Sequence, residues 1–259
     1  MITSRIKSFV IIIIILIITT LLLPIQTLFH KLNTQASYTL PMFYHRIFIK
    51  LLGIKITIKG EIDDKPGLII SNHGSWVDIF LISSISKTVF VAKNDVSKWP
   101  IISFLAKLQK TIFIDRNNPK KMIKTVKDIE KRILKNEKIV IFAEGTSSDG
   151  NKILPFKSSI FLICDLMKEK NINIQPISIA YTKYNGLAID RTSRPLIAWY
   201  GNMNLLSHLY KMIQSGSFDI EITFHNKIDL SEKKSRKEIS SECEEKIRNG
   251  FLRSLKRGI

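Results

Sequence analysis

The segment PKKMIKTVKDIEKRILKNEKIVIF, residues 119–142, decides the fold class. Its first part has the pattern of an amphipathic helix, with apolar residues on one face and lysines on the other. The apolar positions are Met122, Val126, Ile129 and Ile133. Pro119 suits the first helical position, because its missing N–H has no helical partner there. The last part, KIVIF at 138–142, is almost wholly apolar, which is typical of an inner strand covered on both faces. A helix that leads into such a strand predicts a layered α/β domain.

Strand-like and helix-like segments alternate on both sides of this stretch. Ile54, Ile56 and Ile58 alternate with polar residues, which is the pattern of a strand with one exposed face. Further strands are predicted at 67–71, 89–92, 111–114, 173–180 and 218–224, and further helices at 158–170, 205–214 and 232–255. We therefore expect a single layered α/β domain over residues 54–259, with a mixed, largely parallel sheet flanked by helices.

The composition is that of a folded, basic protein. The 259 residues are 45% hydrophobic and include only 8 Pro and 11 Gly, which excludes a disordered or collagen-like chain. Forty Lys and Arg against 22 Asp and Glu give a net charge of +18, which favours anionic partners. The sequence carries no aromatic-interleaved RNA motif or zinc finger, so we expect no nucleic-acid partner. The two cysteines, Cys164 and Cys243, lack the spacing of a zinc site or a disulfide framework.

The N-terminal segment, residues 1–53, is a predicted membrane anchor. Residues 8–29 carry no formal charge, and as a helix they would be about 33 Å long, enough to cross a hydrocarbon core of about 30 Å. Pro24 favours a kink, so a tilted span and a re-entrant hairpin both fit. A cleaved signal peptide is the alternative, although the small residues that could mark cleavage come late. The amphipathic segment 41–52 suits the lipid interface, or equally an ordinary helix packed on the domain.

Polar residues are concentrated where the strand at 67–71 ends. The chain continues as SNHGSWVD, residues 71–78, and then as an apolar helix-like run. His73 lies at the strand-to-helix turn, and Asp78 follows about one helical turn in. If His73 folds over the helix N-terminus, it could act as a general base whose tautomer Asp78 fixes. A lone His with an Asp five residues on is more often structural, so this hypothesis needs further motifs.

Three further segments supply them, and together the four resemble the glycerophospholipid acyltransferase family, the lysophosphatidic acid acyltransferase group in particular. NHGSWVD at 72–78 is similar to the family's N-H-x4-D signature. IFIDR at 112–116 resembles its second block, and FAEGT at 142–146 resembles its F-P-E-G-T block. Pro176 and Ile177, in a strand-like segment, resemble the fourth. Four blocks in the family's order, over about 105 residues behind an apolar N-terminus, make the resemblance specific.

The resemblance implies an enzyme that moves a fatty acyl chain from a thioester to the free hydroxyl of a lysolipid, without an acyl-enzyme intermediate. The thioester is on coenzyme A or acyl carrier protein, either of which is a co-substrate, and no cofactor or metal is expected. By the same resemblance, His73 takes the hydroxyl proton as the oxygen attacks the thioester carbonyl, and Asp78 orients His73.

The blocks also imply a set of substrate-binding residues. These are Asn72, Arg116, Glu144, Gly145 and Thr146, and Lys157, which lies outside the blocks, is a further candidate. Arg116 suits an acceptor phosphate, which the guanidinium fork fits; the alternative is a surface arginine that caps the adjacent helix region. Gly145 allows close approach, and Thr146 can donate to acceptor oxygens. Glu144 would bind an acceptor hydroxyl or anchor Arg116. Lys157 is either a donor or phosphate contact or an ordinary solvated lysine.

Two positions depart from the family pattern. Ala143 replaces the usual Pro of the third block, which should matter little. The block continues with Ser147, where many members that form phosphatidic acid carry Arg, so one expected phosphate ligand is missing. We place lysophosphatidic acid first among acceptors because it is the commonest substrate of the group. The alternative is lyso-ornithine lipid or another lysolipid.

The expected partners are therefore membrane lipids, a lysolipid and an acyl carrier. We expect the chain at the bacterial inner membrane, with its catalytic domain facing the cytoplasm. Two other function classes compete. A non-enzymatic, membrane-anchored basic protein would explain the charge and the anchor but not the polar residues at successive strand ends. A metal-dependent hydrolase is disfavoured because the other four histidines form no ligand-spaced cluster.

Overall fold

A mixed sheet of eight strands forms the centre of the molecule, with helices on both of its faces. The computed structural model describes residues 2–65, 67–115, 119–166, 173–228 and 234–257. The strands are β1 (Ile54–Lys59), β2 (Gly67–Ser71), β3 (Thr88–Lys93), β4 (Ile112–Ile114), β5 (Lys138–Phe142), β6 (Asn173–Tyr184), β7 (Leu187–Ala188) and β8 (Phe218–Phe224). Their order across the sheet is β1-β8-β6-β2-β5-β3-β4, with β7 also paired to β6. The β6–β8 and β6–β7 pairs are antiparallel and the other pairs are parallel, which confirms the predicted mixed, largely parallel sheet.

The helices divide between the two faces of the sheet. They are α1 (Ile2–Lys31), α2 (Ala36–Leu51), α3 (Val77–Ile85), α4 (Pro100–Leu108), α5 (Pro119–Ile133), α6 (Leu162–Leu166), α7 (Leu205–Ser215) and α8 (Arg236–Arg257). Short 3-10 helices lie at Asn94–Lys98, Ser158–Phe161 and Arg194–Leu196. Helices α1, α2, α3 and α7 contribute to one apolar core, and α5, α6 and α8 to the other. β5 serves both cores, because Val140 belongs to the first and Ile139 to the second. This is the two-sided burial that its apolar sequence predicts.

The predicted strands lie where the structure has them, whereas some predicted helices differ in their bounds. Residues 158–166 begin as a 3-10 turn before α6, and residues 167–170 of the predicted helix lie outside the described part of the chain. The predicted helix at 232–255 is seen as α8 from Arg236 onward, and residues 232–233 lie outside the described part of the chain. Helix α4 was not predicted, because its nine residues are mostly apolar and too few to show a helical period.

Helix α1 lies along the domain instead of projecting from it. Ile11 is buried in the same core as Met212 of α7. The Thr19 and Tyr44 hydroxyls are 2.8 Å apart, and the Gln26 amide donates to the carbonyl of Leu108, at the end of α4, over 2.9 Å. The opposite face of α1 is apolar and exposed. Within the described residues, α1 is long and apolar enough to cross a membrane.

Helix α2 packs on α3 of the α/β domain. The Phe48 ring stacks on Phe80 with 4.5 Å between ring centroids, and His45 meets the same ring edge-on at 4.5 Å. The Arg46 Nε donates to the carbonyl of Ser84 over 2.7 Å. One face of residues 41–52 is therefore packed on the domain, while Phe43 remains exposed, and contact of this segment with lipid stays a prediction.

Candidate active site

Strand register brings the predicted site together at one edge of the sheet. In the parallel pair of β2 and β5, Ser71 is level with Phe142, and in the pair of β2 and β6 it is level with Ile177. His73 and Glu144 each follow two residues after these aligned positions. Their backbones therefore lie side by side, and the His73 N–H donates to Glu144 Oε1 over 2.7 Å.

His73 and Asp78 meet across the turn that leads into α3. The His73 Nδ1 lies 2.9 Å from Asp78 Oδ2. The His73 ring also stacks on Phe142, with 3.9 Å between centroids and 16° between planes. The Asp78 side chain is fully buried, whereas the His73 side chain remains 17% exposed. When Nδ1 carries the proton and donates to Asp78, the lone pair of the neutral ring is on Nε2, as a general base requires.

The Asp78 carboxylate is buried but well supplied with donors. Its Oδ2 accepts from the backbone N–H groups of Gly74 and Ser75 over 2.8 and 2.9 Å, besides its contact with His73. Its Oδ1 accepts from the Tyr181 hydroxyl over 2.8 Å. Burial of an ionised carboxylate is tolerated when hydrogen bonds of this kind replace those of water.

Glu144 holds two loops of the site in place. Its Oε1 accepts from His73, as above, and its Oε2 accepts from the Leu154 N–H over 2.8 Å. Both of these contacts are with backbone groups. The predicted contact with an acceptor hydroxyl or with Arg116 stays a prediction, since Arg116 lies outside the described residues. Burial raises the pKa of Glu144 to about 8, although the two N–H donors act in the opposite direction. A neutral carboxyl can still accept from both amides, since each oxygen keeps a lone pair.

The other predicted residues lie around this pair. Both ends of the Asn72 carboxamide bind the backbone of Ile179, over 2.8 and 2.9 Å, so Asn72 ties β2 to β6. Gly145 adopts a φ of 73°, which favours glycine, and Thr146 next to it is exposed. The Lys157 side chain is exposed, and its N–H donates to the carbonyl of Ala143 over 3.0 Å. Arg116 lies outside the described residues. Substrate contacts by these residues stay predictions.

Two contacts of the site were not predicted from the sequence. They are the stacking of His73 on Phe142 and the hydrogen bond that the Tyr181 hydroxyl donates to Asp78. The signal for Tyr181 was faint. The alternation of β6 places Ile177, Ile179 and Tyr181 on one face, so the hydroxyl of Tyr181 is directed to a buried side of the sheet. A buried tyrosine hydroxyl needs a hydrogen-bond partner, but the sequence does not say which.

Known proteins are similar to this chain in sequence and in fold. A family model described as Acyltransferase matches residues 53–180. A lyso-ornithine lipid O-acyltransferase of Brucella abortus is 34% identical over 250 residues, which cover 95% of this chain and 94% of that protein. The chain belongs to the lysophospholipid acyltransferase family. This acyltransferase is also 25% identical over 181 residues to a 1-acyl-sn-glycerol-3-phosphate acyltransferase of Neisseria gonorrhoeae, covering 70% of this chain and 68% of that one.

The fold of the acyltransferase is found in a solved structure. The crystal structure of the 1-acyl-sn-glycerophosphate (LPA) acyltransferase PlsC from Thermotoga maritima matches with a TM-score of 0.68. The match covers 96% of this chain and 97% of that one at 16% sequence identity, so it concerns the fold. The family resemblance read from the four motifs is thus confirmed. The alternatives of a non-enzymatic basic protein and a metal-dependent hydrolase are set aside, because the chain is an acyltransferase.

Glu144→Gln should destabilise the acyltransferase by about 1–3 kcal/mol, the cost of a buried donor without a partner. The carboxamide nitrogen cannot accept, so either the His73 or the Leu154 N–H loses its acceptor, and the rate of acyl transfer should fall as His73 shifts. Unfolding in detergent and an activity assay measure the two effects. The control is Glu245→Gln on α8, where the side chain is exposed. Unchanged stability and activity in Glu144→Gln would contradict the assigned role.

Proposed function

We propose that this acyltransferase transfers a fatty acyl chain from acyl-CoA or acyl carrier protein to the hydroxyl of lyso-ornithine lipid. The similarity to the Brucella abortus lyso-ornithine lipid O-acyltransferase, which extends over 95% of the chain, carries the proposal. The Neisseria gonorrhoeae 1-acyl-sn-glycerol-3-phosphate acyltransferase is less similar and matches a shorter part of the chain. The acceptor placed second from the sequence is therefore the one we now prefer. Lysophosphatidic acid becomes the alternative.

The chemistry at position 147 supports this choice. Phosphate recognition favours a guanidinium, and the chain has Ser147 where many phosphatidic acid-forming members carry Arg. Position 147 lies close to the reacting groups, because the N–H of the next residue, Ser148, donates to the His73 carbonyl over 2.8 Å. An ornithine headgroup carries a carboxylate and an ammonium and no phosphate, so it has less need of an arginine here.

In the proposed reaction, His73 Nε2 takes the proton of the acceptor hydroxyl as its oxygen attacks the thioester carbonyl. The C–O bond forms, the C–S bond breaks, and the proton passes from His73 to the leaving thiolate. Asp78 holds the ring in the required tautomer and stabilises the imidazolium. A positioned base typically contributes about 10²–10⁴-fold, so the orientation of the two substrates and stabilisation of the oxyanion must supply the remainder.

The membrane arrangement is part of the proposal. Contacts of α1 with the domain extend from Ile11 to Gln26, about 22 Å along the helix. We infer that α1 lies in the plane of the bilayer surface with its outer face in lipid, instead of crossing the membrane. Exposed apolar residues of α4 and α7, Ile101 and Leu206 among them, continue this surface, since both helices contact α1. We place the chain on the cytoplasmic side of the inner membrane, where both acyl carriers are found.

The acceptor is tested by offering lyso-ornithine lipid and lysophosphatidic acid side by side to the purified enzyme with acyl-CoA or acyl carrier protein. We expect kcat/KM to be at least about tenfold higher for lyso-ornithine lipid. Ser147→Arg should raise kcat/KM for lysophosphatidic acid by about 10–100-fold, the range of one charged hydrogen bond. Ser241→Arg, which adds the same charge at an exposed position of α8, is the control. Preference of the unaltered enzyme for lysophosphatidic acid would overturn the choice of acceptor.

His73→Ala should remove the general base and lower kcat by about 10²–10⁴-fold on the acceptor that works. The His73 side chain is 17% exposed and stacks on Phe142, so the unfolding temperature of His73→Ala is measured as well, to separate a catalytic from a structural effect. The kcat and the unfolding temperature are measured on the same preparation of the variant. Wild-type turnover by His73→Ala would refute the base assignment.

Spin labels on α1 test how it meets the bilayer. Phe9, Leu16 and Leu28 are exposed on α1, and the native Cys164 and Cys243 are buried, so single Cys substitutions at the three positions can be labelled selectively. For a helix lying in the surface, oxygen and polar-quencher accessibility should give similar depths at all three sites. A crossing helix would place position 16 deep and positions 9 and 28, about 28 Å apart, near opposite interfaces. Leu187→Cys on β7 is the water-exposed control.

A further inference from the structure

We propose that Tyr181 is a positioning residue for the His73–Asp78 pair, and that its hydroxyl holds the Asp78 carboxylate in place against the His73 ring. The inference deepens the proposed function, since it rests on His73 acting as the base.

The carboxylate of Asp78 is held from two sides. His73, Gly74 and Ser75 approach Oδ2 from the turn that precedes α3, over 2.8–2.9 Å. Tyr181 approaches Oδ1 from β6, over 2.8 Å, at a separation of 103 residues in the chain. The contacts of the turn all fall on Oδ2, and Tyr181 is the side chain that binds Oδ1. Loss of the Tyr181 hydroxyl would leave a buried carboxylate oxygen without this donor and weaken the hold on the carboxylate plane.

The two loops of the site are shaped around the Tyr181 ring. The side chain is buried, at 3% exposure. A Cβ atom on Gly74 would lie 2.7 Å from the Tyr181 hydroxyl oxygen, and one on Gly150 would lie 3.2 Å from the ring. Gly74 follows His73 directly, and Gly150 follows Glu144 by six residues. The absence of side chains at both positions is therefore what lets the hydroxyl reach Asp78.

The hydroxyl acts as a constant donor. Burial raises the pKa of Tyr181 well above its usual value, and Asp78 and Glu144 act in the same direction, while a hydrogen bond with Ser75 acts against them. Tyr181 therefore keeps its proton throughout the working pH range. A donor to Asp78 weakens the pull of that carboxylate on the imidazolium, so loss of the donor should make His73 more basic. Among the residues that the structure describes, Asp78 and Phe142 contact the His73 ring, and Glu144 binds the His73 backbone.

Tyr181→Phe removes the hydroxyl and keeps the ring. We expect kcat to fall about tenfold and the acid limb of the pH profile of kcat/KM to move up by about half to one pH unit, the equivalent of one hydrogen bond. NMR titration of the His73 ring should show the same rise. The matched control is Tyr184→Phe on the same strand, whose hydroxyl donates to the Ser215 carbonyl over 2.7 Å, away from the site. Tyr184→Phe should leave the acid limb of the kcat/KM profile and the NMR titration of His73 unchanged.

The outcomes separate the two hypotheses. If the His73 titration moves but the acid limb does not, Tyr181 positions Asp78 and the general-base assignment is wrong. If neither moves in Tyr181→Phe, or both move equally in Tyr184→Phe, the role proposed for Tyr181 is overturned. Should Tyr181→Phe not fold, 3-fluorotyrosine at position 181 provides a stronger donor and should lower the His73 titration; an unchanged titration would again overturn the role.

Discussion

The burial of the Asp78 carboxylate is the constraint on which the site depends. A buried negative charge is costly unless donors replace water, and the donors here come from the turn at His73–Ser75 and from Tyr181 on β6. These segments are held in place by the register of the sheet and by Asn72, whose carboxamide binds Ile179. The chemistry of His73 is therefore a property of three neighbouring strands and not of one motif.

Two carboxyl groups at this edge have been given different surroundings. Asp78 meets an imidazole, two backbone amides and a hydroxyl, while Glu144 meets two backbone amides and is otherwise enclosed. Burial raises the pKa of Glu144 to about 8, so this carboxyl gives up its proton less readily than an exposed one. The tendency to place a second full charge beside Asp78 is thereby reduced. Glu144 serves as a clamp on the loops, and Asp78 serves the histidine.

The sequence predicted what depends on local pattern. The apolar run at 138–142 gave an inner strand, and the five-residue spacing of His73 and Asp78 gave a pair that meets over a helix start. It could not predict contacts set by register between distant strands: His73 with Glu144 is separated by 71 residues, and Asn72 with Ile179 by 107. Nor could it assign Tyr181, because strand alternation gives the face of a side chain but not its partner.

The way α1 lies along the domain has a consequence for kinetics. With this helix in the lipid surface, the edge of the sheet that carries His73 would stay at a fixed height relative to the headgroups. An acceptor could then reach the enzyme by lateral diffusion, without leaving its leaflet, and the product could return the same way. Turnover would follow the mole fraction of acceptor in the membrane, and dilution of the vesicles would leave it unchanged.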